Sequence, residues 1–192
     1  MSFYSRDELE SLGLAHVGSQ VLLSRRAVIY NPARISIGSN VRIDDLCVLS
    51  AGDGGIEIGD FVHIAVYCSL IGAGRITLQD FSGLSSRVSV YSSNDDYSGA
   101  HLTNPTVPAP FTGVSHADVL IGRHAIVGAG AVILPGITLG EGVAVGALSL
   151  VTKSCEGFGV YSGVPARRIR SRGQGLLELE QQFLAQRNAV LP

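Results

Sequence analysis

The sequence predicts an all-β chain wound as a three-sided parallel β-helix, with a short helix before it and another after it. Three observations carry this. A six-residue rhythm runs through most of the 192 residues. Each unit opens on an aliphatic residue and has Ala, Ile, Val, Ser or Cys in fifth place. The composition is 46% hydrophobic with 24 glycines and no tryptophan. A chain this apolar has a core to bury, so its glycines serve turns and not disorder.

Residues 1–16 read as a cap. Ser5 to Glu8 is an S-x-x-E pattern, in which the serine hydroxyl and the glutamate carboxylate satisfy each other's backbone amides and open a helix. Gly13 supplies its stop. His16 is expected to be structural.

The coils span 17–155. From Ile121 the units IGRHAI, VGAGAV, ILPGIT, LGEGVA, VGALSL and VTKSCE follow without a break. Earlier come VGSQVL, LSRRAV, IGSNVR, IDDLCV, IGDFVH, IAVYCS, LQDFSG and LSSRVS, interrupted near 31–36, 50–57 and 70–77 by expected loops or bulges at corners. Each unit supplies one face and three units one coil. The opening aliphatic points inward, contributing about 1.5–3 kcal/mol per buried Val or Ile. The fifth residue also points inward and is small because the narrow interior cannot hold two large side chains per face. Gly, Asp or Asn in second place is expected to turn the corner, where a large Cβ would be strained. A β-sandwich would show a period of two with variable turns.

From 92 to 118 the rhythm stops, SSNDDYSGAHLTNPTVPAPFTGVSHAD, then resumes in full. A polar, proline-containing excursion of that length in a regular solenoid points to function. Residues 156–192 form a turn and a helix. Leu176, Leu177, Leu179, Phe183 and Leu184 recur at roughly helical spacing, giving an amphipathic face for the coil edge or a neighbouring subunit.

The net charge of −2 gives no basic field for nucleic acid. There is no signal-type apolar segment and no long uncharged apolar run, so membrane insertion is not expected and the chain reads as cytoplasmic. Cys47, Cys68 and Cys155 are odd in number and form no CxxC, which points to reduced core residues and no zinc site.

The run IGRHAIVGAGAVILPGITLGEG followed by VYSGVPARRIR, from Val160 to Arg170, resembles the hexapeptide-repeat acyltransferases over nearly the whole chain. YSSNDDYSG, LTNPTVP and VGALSLVTKS look most like the branch that acylates sugars for lipopolysaccharide or other surface glycans, including nucleotide-sugar N-acyltransferases. The resemblance implies a left-handed coil and a homotrimer with each active site between two β-helices. It also implies acetyl-CoA, or a related acyl-CoA, lying along the outer groove of the C-terminal coils. In the galactoside and maltose branch a catalytic histidine stands near the start of the excursion. Here that place holds Asn94, Asp95 and Asp96.

Acyl transfer from a thioester needs a neutral nucleophile, a proton acceptor and donors for the tetrahedral oxyanion. A sugar hydroxyl needs a general base, usually His. An amine needs less, and a carboxylate that holds and orients the ammonium helps it. The Asp95–Asp96 pair therefore favours N-acylation, and mutual repulsion is expected to raise one of the two pKa values. An Asx-turn accounts for either aspartate alone. His116 is the alternative base, for O-acetylation. Asn94, Tyr97, His101 and Asn104 in the excursion, and Ser85 and Ser86 a coil earlier, are candidates for acceptor contacts. His63 and His124 fall at outward positions, either lining a groove or simply solvated.

For acyl-CoA, Gly128, Ala129, Gly130, Gly146 and Ala147 make an outer wall small enough for a pantetheine arm, although coil geometry also demands small residues there. Lys153, the single lysine, with Arg167, Arg168 and Arg170, suits the phosphates. The turn at Gly163 to Ala166, including Pro165, resembles the family's chain reversal beneath the adenine. A γ-class carbonic anhydrase shares the architecture but needs a close histidine pair, whereas His116 and His124 are eight apart. A non-catalytic scaffold has no use for the excursion and the GVPAR ending together.

Overall fold

The computed structural model describes residues 2–190. Ser5 caps helix α1 (Arg6–Ser11): its hydroxyl accepts from the Glu8 amide, and the Glu8 carboxylate accepts from the Ser5 amide at 2.7 Å. Arg25 of the first coil donates to the same carboxylate, and that bond above all draws the Glu8 pKa down to about 2. Leu12 is the C-cap of α1, with Gly13 left-handed just beyond.

The chain then winds through about seven turns of a left-handed β-helix. Its first face runs from His16–Val17 through Ile35–Ile37, Ile56–Ile58, Ile76–Leu78 and Val119–Ile121 to Thr138–Leu139. The second begins at Leu22–Leu23 and continues through Arg42–Ile43, His63–Ile64, Gly83–Leu84, Ile126–Val127 and Ala144–Val145. The third begins at Val28–Tyr30 and continues through Val48–Ala51, Ser69–Gly72, Ser89–Tyr91, Val132–Ile133 and Leu150–Val151. Adjacent strands in a face belong to successive coils and pair in parallel, so Ile64, Leu84 and Val127 stack in one column.

The interior follows the six-residue pattern. Ile37, Ile43, Ile64, Leu84, Ile121 and Ile133 are at most 1% exposed, and so are the fifth-place Val41, Cys47, Val62, Cys68, Val88 and Ala131. The three cysteines are free and buried. Cys47 and Cys68 donate from their thiols to the carbonyls of Ala65 and Ser85.

The corners are turned differently from the expectation. The left-handed residue is the fourth of most units, Arg26 and Ser154 being exceptions, and not the second. Asn40, Leu46, Phe61, Tyr67, Phe81, Arg87, His124 and Leu148 all have φ between 56° and 64°. Bulky residues there cost about 1–2 kcal/mol each, offset in part where they stack. Phe61 and Phe81 lie parallel at 4.7 Å, and Phe81 stacks on His124 at 5.1 Å. The second-place glycine is needed for close approach instead. A methyl group on Gly59 would sit 2.3 Å from the Asp80 carboxylate of the next coil, and one on Gly128 2.5 Å from the Ala147 amide nitrogen.

The excursion leaves the third face after Tyr91 and rejoins the first at Val119, so it stands on the corner between them. Its base is an antiparallel clasp of Ser93–Asn94 with Ser115–His116. After the last coil, Gly159–Gly163 folds back on Ala166–Ser171 and leads into helix α2 (Gly175–Val190). Of the two placements the sequence allowed, α2 takes the edge of its own coils, between the first and second faces. Phe183 meets Phe61 and Phe81 edge-on at 5.3 and 6.3 Å, and Glu180 pairs with Arg123 and with His124.

Leu70 is fully buried in the stack, whereas Leu179 on α2 is 65% exposed. Urea unfolding is expected to show Leu70→Ala costing about 2–5 kcal/mol and Leu179→Ala at most about 0.5 kcal/mol. Equal losses would contradict the interior stack.

Candidate active site

Ser85 and Ser86 turn the corner between the second and third faces, directly after Gly83–Leu84. With His63, Ala65, Gly83 and Ile126 they line a cleft of about 320 Å³. Ser86 also borders an adjoining cleft of about 490 Å³, walled by Tyr67, Arg87, Ala129, Gly130, Ala147 and Leu148. The small residues singled out for a pantetheine arm therefore gather along one corner. Gly130 is there for its left-handed backbone, φ +71°, while Gly128 and Gly146 lack room for a Cβ against the next coil. The same geometry that closes the coils leaves this outer wall smooth.

Lys153, Arg167 and Arg168 border a third cleft with Tyr161, one coil further along. Arg168 donates to Ser171 Oγ and Arg167 to the Ala166 carbonyl; among the described residues neither meets a carboxylate. Their charge is left for an anion, which suits phosphate groups. Pro165 lies in the turn between two antiparallel strands, the second of which carries Arg167, Arg168 and Arg170.

In the excursion, Asp96 braces the loop. Its Oδ1 accepts from the Ser98 amide at 2.8 Å, and its Oδ2 accepts from the His101 amide at 2.9 Å and faces His101 Nδ1 at 3.2 Å. Hydrogen bonds from Ser98 first, then from His101, hold its carboxyl well below the usual carboxylate range. The raised pKa expected of one of the pair is therefore not that of Asp96, because donors to its ionised form outweigh repulsion. Asp95 is exposed and makes no hydrogen bond or ion pair among the described residues.

The other excursion residues divide similarly. His116 Nδ1 meets Ser93 Oγ at 2.8 Å across the clasp, where Asn94 pairs with Ser115. Asn104 is left-handed and accepts from the Thr106 amide at 3.0 Å. Tyr97 is exposed. Asp95 and Tyr97 therefore face solvent, while Asp96, His101, Asn104 and His116 hold the loop's shape. Within one chain the excursion and the serine cleft occupy different corners, with the third face between them.

The two outward histidines also separate. His124 is pinned under α2, with Nε2 2.7 Å from Glu180, and is not a solvated side chain. His63 opens onto the serine cleft, its Nε2 2.9 Å from the buried Asp44. Asp44 had no assigned role in the sequence; the signal was its place one coil before an outward histidine. Among the described residues no group of His, Cys, Asp or Glu gathers as a metal site. No helix among them is long and apolar enough to cross a membrane.

The family model described as bacterial transferase hexapeptide (six repeats) matches residues 118–153. An Escherichia coli dTDP-4-amino-4,6-dideoxy-D-glucose acyltransferase is 49% identical, the match covering 95% of each chain. Among solved structures, AntD, an N-acyltransferase from Bacillus cereus in complex with dTDP and 3-hydroxybutyryl-CoA, is 46% identical. It superposes with a TM-score of 0.93 over 97% of this chain and 98% of its own. A maltose O-acetyltransferase from Clostridium difficile, 24% identical with a TM-score of 0.55 over 88% of this chain and 75% of that one, shares the fold. Coils, excursion and C-terminal turn are thus matched over almost the full length, and this chain belongs to the hexapeptide-repeat transferase family.

Proposed function

We propose that this chain transfers an acyl group from acyl-CoA to the amine of a nucleotide-linked amino sugar, as a homotrimer with its sites between neighbouring chains. The observation that carries this is the full-length likeness to AntD, whose structures hold dTDP together with an acyl-CoA. Another AntD structure holds dTDP-4-amino-4,6-dideoxyglucose with coenzyme A. The acceptor to test first is that amino sugar, the substrate named for the Escherichia coli relative.

Pantetheine lies along the Ala129, Gly130 and Ala147 corner, with its phosphates toward Lys153, Arg167 and Arg168. The reacting carbonyl sits in the adjoining cleft, where Ser85 and Ser86 supply hydroxyl donors to the developing oxyanion. Asp95, held out by the loop that Asp96 braces, attracts and orients the sugar ammonium. One chain presents these groups on different corners, so a neighbouring chain's excursion must complete each cleft. AntD has been solved with a serine and with an aspartate replaced, and the two have the same separation in sequence as Ser85 and Asp95. His116 is tied to Ser93, which favours an amine acceptor over a hydroxyl. An Escherichia coli lipopolysaccharide-biosynthesis relative, a putative O-acetyl transferase 33% identical over 60% of this chain, supports a surface glycan as the product's destination.

Mass spectrometry after incubation with acetyl-CoA and the dTDP-linked amino sugar is expected to show one added acetyl group, stable to mild base as an amide. A base-labile ester, or no product from any amino sugar, would overturn the proposal. Asp95→Asn is expected to lower kcat/KM about 10²-fold while light scattering still shows a trimer. An unchanged rate would remove the carboxylate from the mechanism.

A further inference from the structure

We infer that His63, oriented by Asp44, is the proton acceptor of the acyl transfer and works in a slot that Gly83 leaves open on the second face. This rests on the acyltransferase reading above and adds to it a residue outside the excursion.

The slot is a matter of register. Arg42, His63, Gly83 and Ile126 stack outward in successive coils. A methyl group on Gly83 would meet only the His63 carbonyl, at 3.8 Å, and its backbone is not left-handed. Among the described coil glycines it is alone in having neither a positive φ nor any atom within 3.4 Å of an added Cβ. The fold would accept a side chain there. Its absence leaves space between the imidazole and Ile126, in the cleft that holds Ser85 and Ser86.

Asp44 fixes the imidazole. It is 5% exposed, with Oδ1 2.7 Å from Arg42 Nε and Oδ2 2.9 Å from His63 Nε2. Burial opposes its ionisation, but the hydrogen bonds from Arg42 and His63 outweigh that and hold its pKa below the ordinary carboxylate value. An ionised carboxylate only accepts, so Nε2 donates and Nδ1 carries the lone pair. Nδ1 has no partner among the described residues. The other charged groups around His63 are Arg42, on the preceding coil, and, across a cleft that shares its Gly83 and Ile126 walls, His124 and Arg172. His124 is bound to Glu180, and Arg172 donates to the carbonyls of His124 and Gly142. The excursion histidines are already committed to Ser93 and Asp96.

The ammonium first loses one proton to solvent. Its nitrogen then attacks the thioester carbon, forming the C–N bond, and the adduct's second proton passes to His63 Nδ1. As the C–S bond breaks, the imidazolium returns that proton to the coenzyme A sulfur. The products are an amide, a free thiol and one released proton.

The test is kcat and KM measured separately for wild type, His63→Gln, Asp44→Asn and Asp44→Glu, with acetyl-CoA and dTDP-4-amino-4,6-dideoxyglucose. His63 is exposed, so its variant should melt with the wild type. Its kcat is expected to fall about 10²-fold or more with KM little changed. Asp44→Asn removes the acceptor that holds the imidazole with Nε2 as donor and should lower kcat about 10-fold or more with KM little changed, while Asp44→Glu, which keeps a carboxylate, should recover part of that loss. A kcat for His63→Gln within about twofold of wild type, a change confined to KM, or an unchanged kcat in folded Asp44→Asn would overturn the assignment. An inactive wild type would instead remove the acyltransferase reading, and this one with it.

Discussion

The constraint on which the molecule depends is the hydrogen-bonded spacing between successive coils, about 4.8 Å. Every residue stacks on its counterpart in the next coil, so a side chain's neighbours are decided by position within the six-residue unit. Inward columns must interdigitate in a narrow prism, which explains why Ile and Leu alternate with Val, Ala and Cys. Outward columns are free to carry chemistry. The second-face column of Arg42, His63, Gly83 and Ile126 does so because the inward one beneath it, Ile43, Ile64, Leu84 and Val127, keeps it in register.

The corners show how one demand is met by unlike residues. Most turns use a left-handed fourth residue, and where that residue is aromatic its ring becomes a surface feature. Phe61, Phe81 and His124 form the platform on which Phe183 and Glu180 seat α2. At the opposite corner the fourth places are Tyr67, Arg87, Gly130 and Leu148, and the groove opens where Gly130 interrupts the larger side chains. The helix site and the groove are the same backbone motif with different side chains.

This explains what was legible in the sequence. The coils, the capping box and α2 are local or periodic signals and form as strands and helices, but the expected interruptions are shorter than the rhythm suggests, since Ile35, Ala51, Ile56, Leu70 and Ile76 within them are buried strand residues. The role of the second-place glycine was not legible, since close approach of the next coil and a positive φ both call for glycine. The duties of Asp95 and Asp96 were also hidden: adjacent and chemically identical, they are separated only by the donors that Ser98 and His101 bring to one of them. Asp44 and His63 belong to different units, and only the coil stack makes them partners.

The excursion rises from the corner between the third and first faces, and the serine cleft from the corner between the second and third. The proposed site uses both, and on that proposal a second chain supplies one of them. The most direct measurement is a crystal structure of the protein with coenzyme A and dTDP-4-amino-4,6-dideoxyglucose. The account predicts coenzyme A along the Gly130 and Ala147 corner of one chain, with its sulfur at Ser85. It also predicts the sugar amine between that serine and the Asp95 supplied by a neighbouring chain. Both ligands seated on a single chain, away from Ser85 and with Asp95 in solvent, would contradict it.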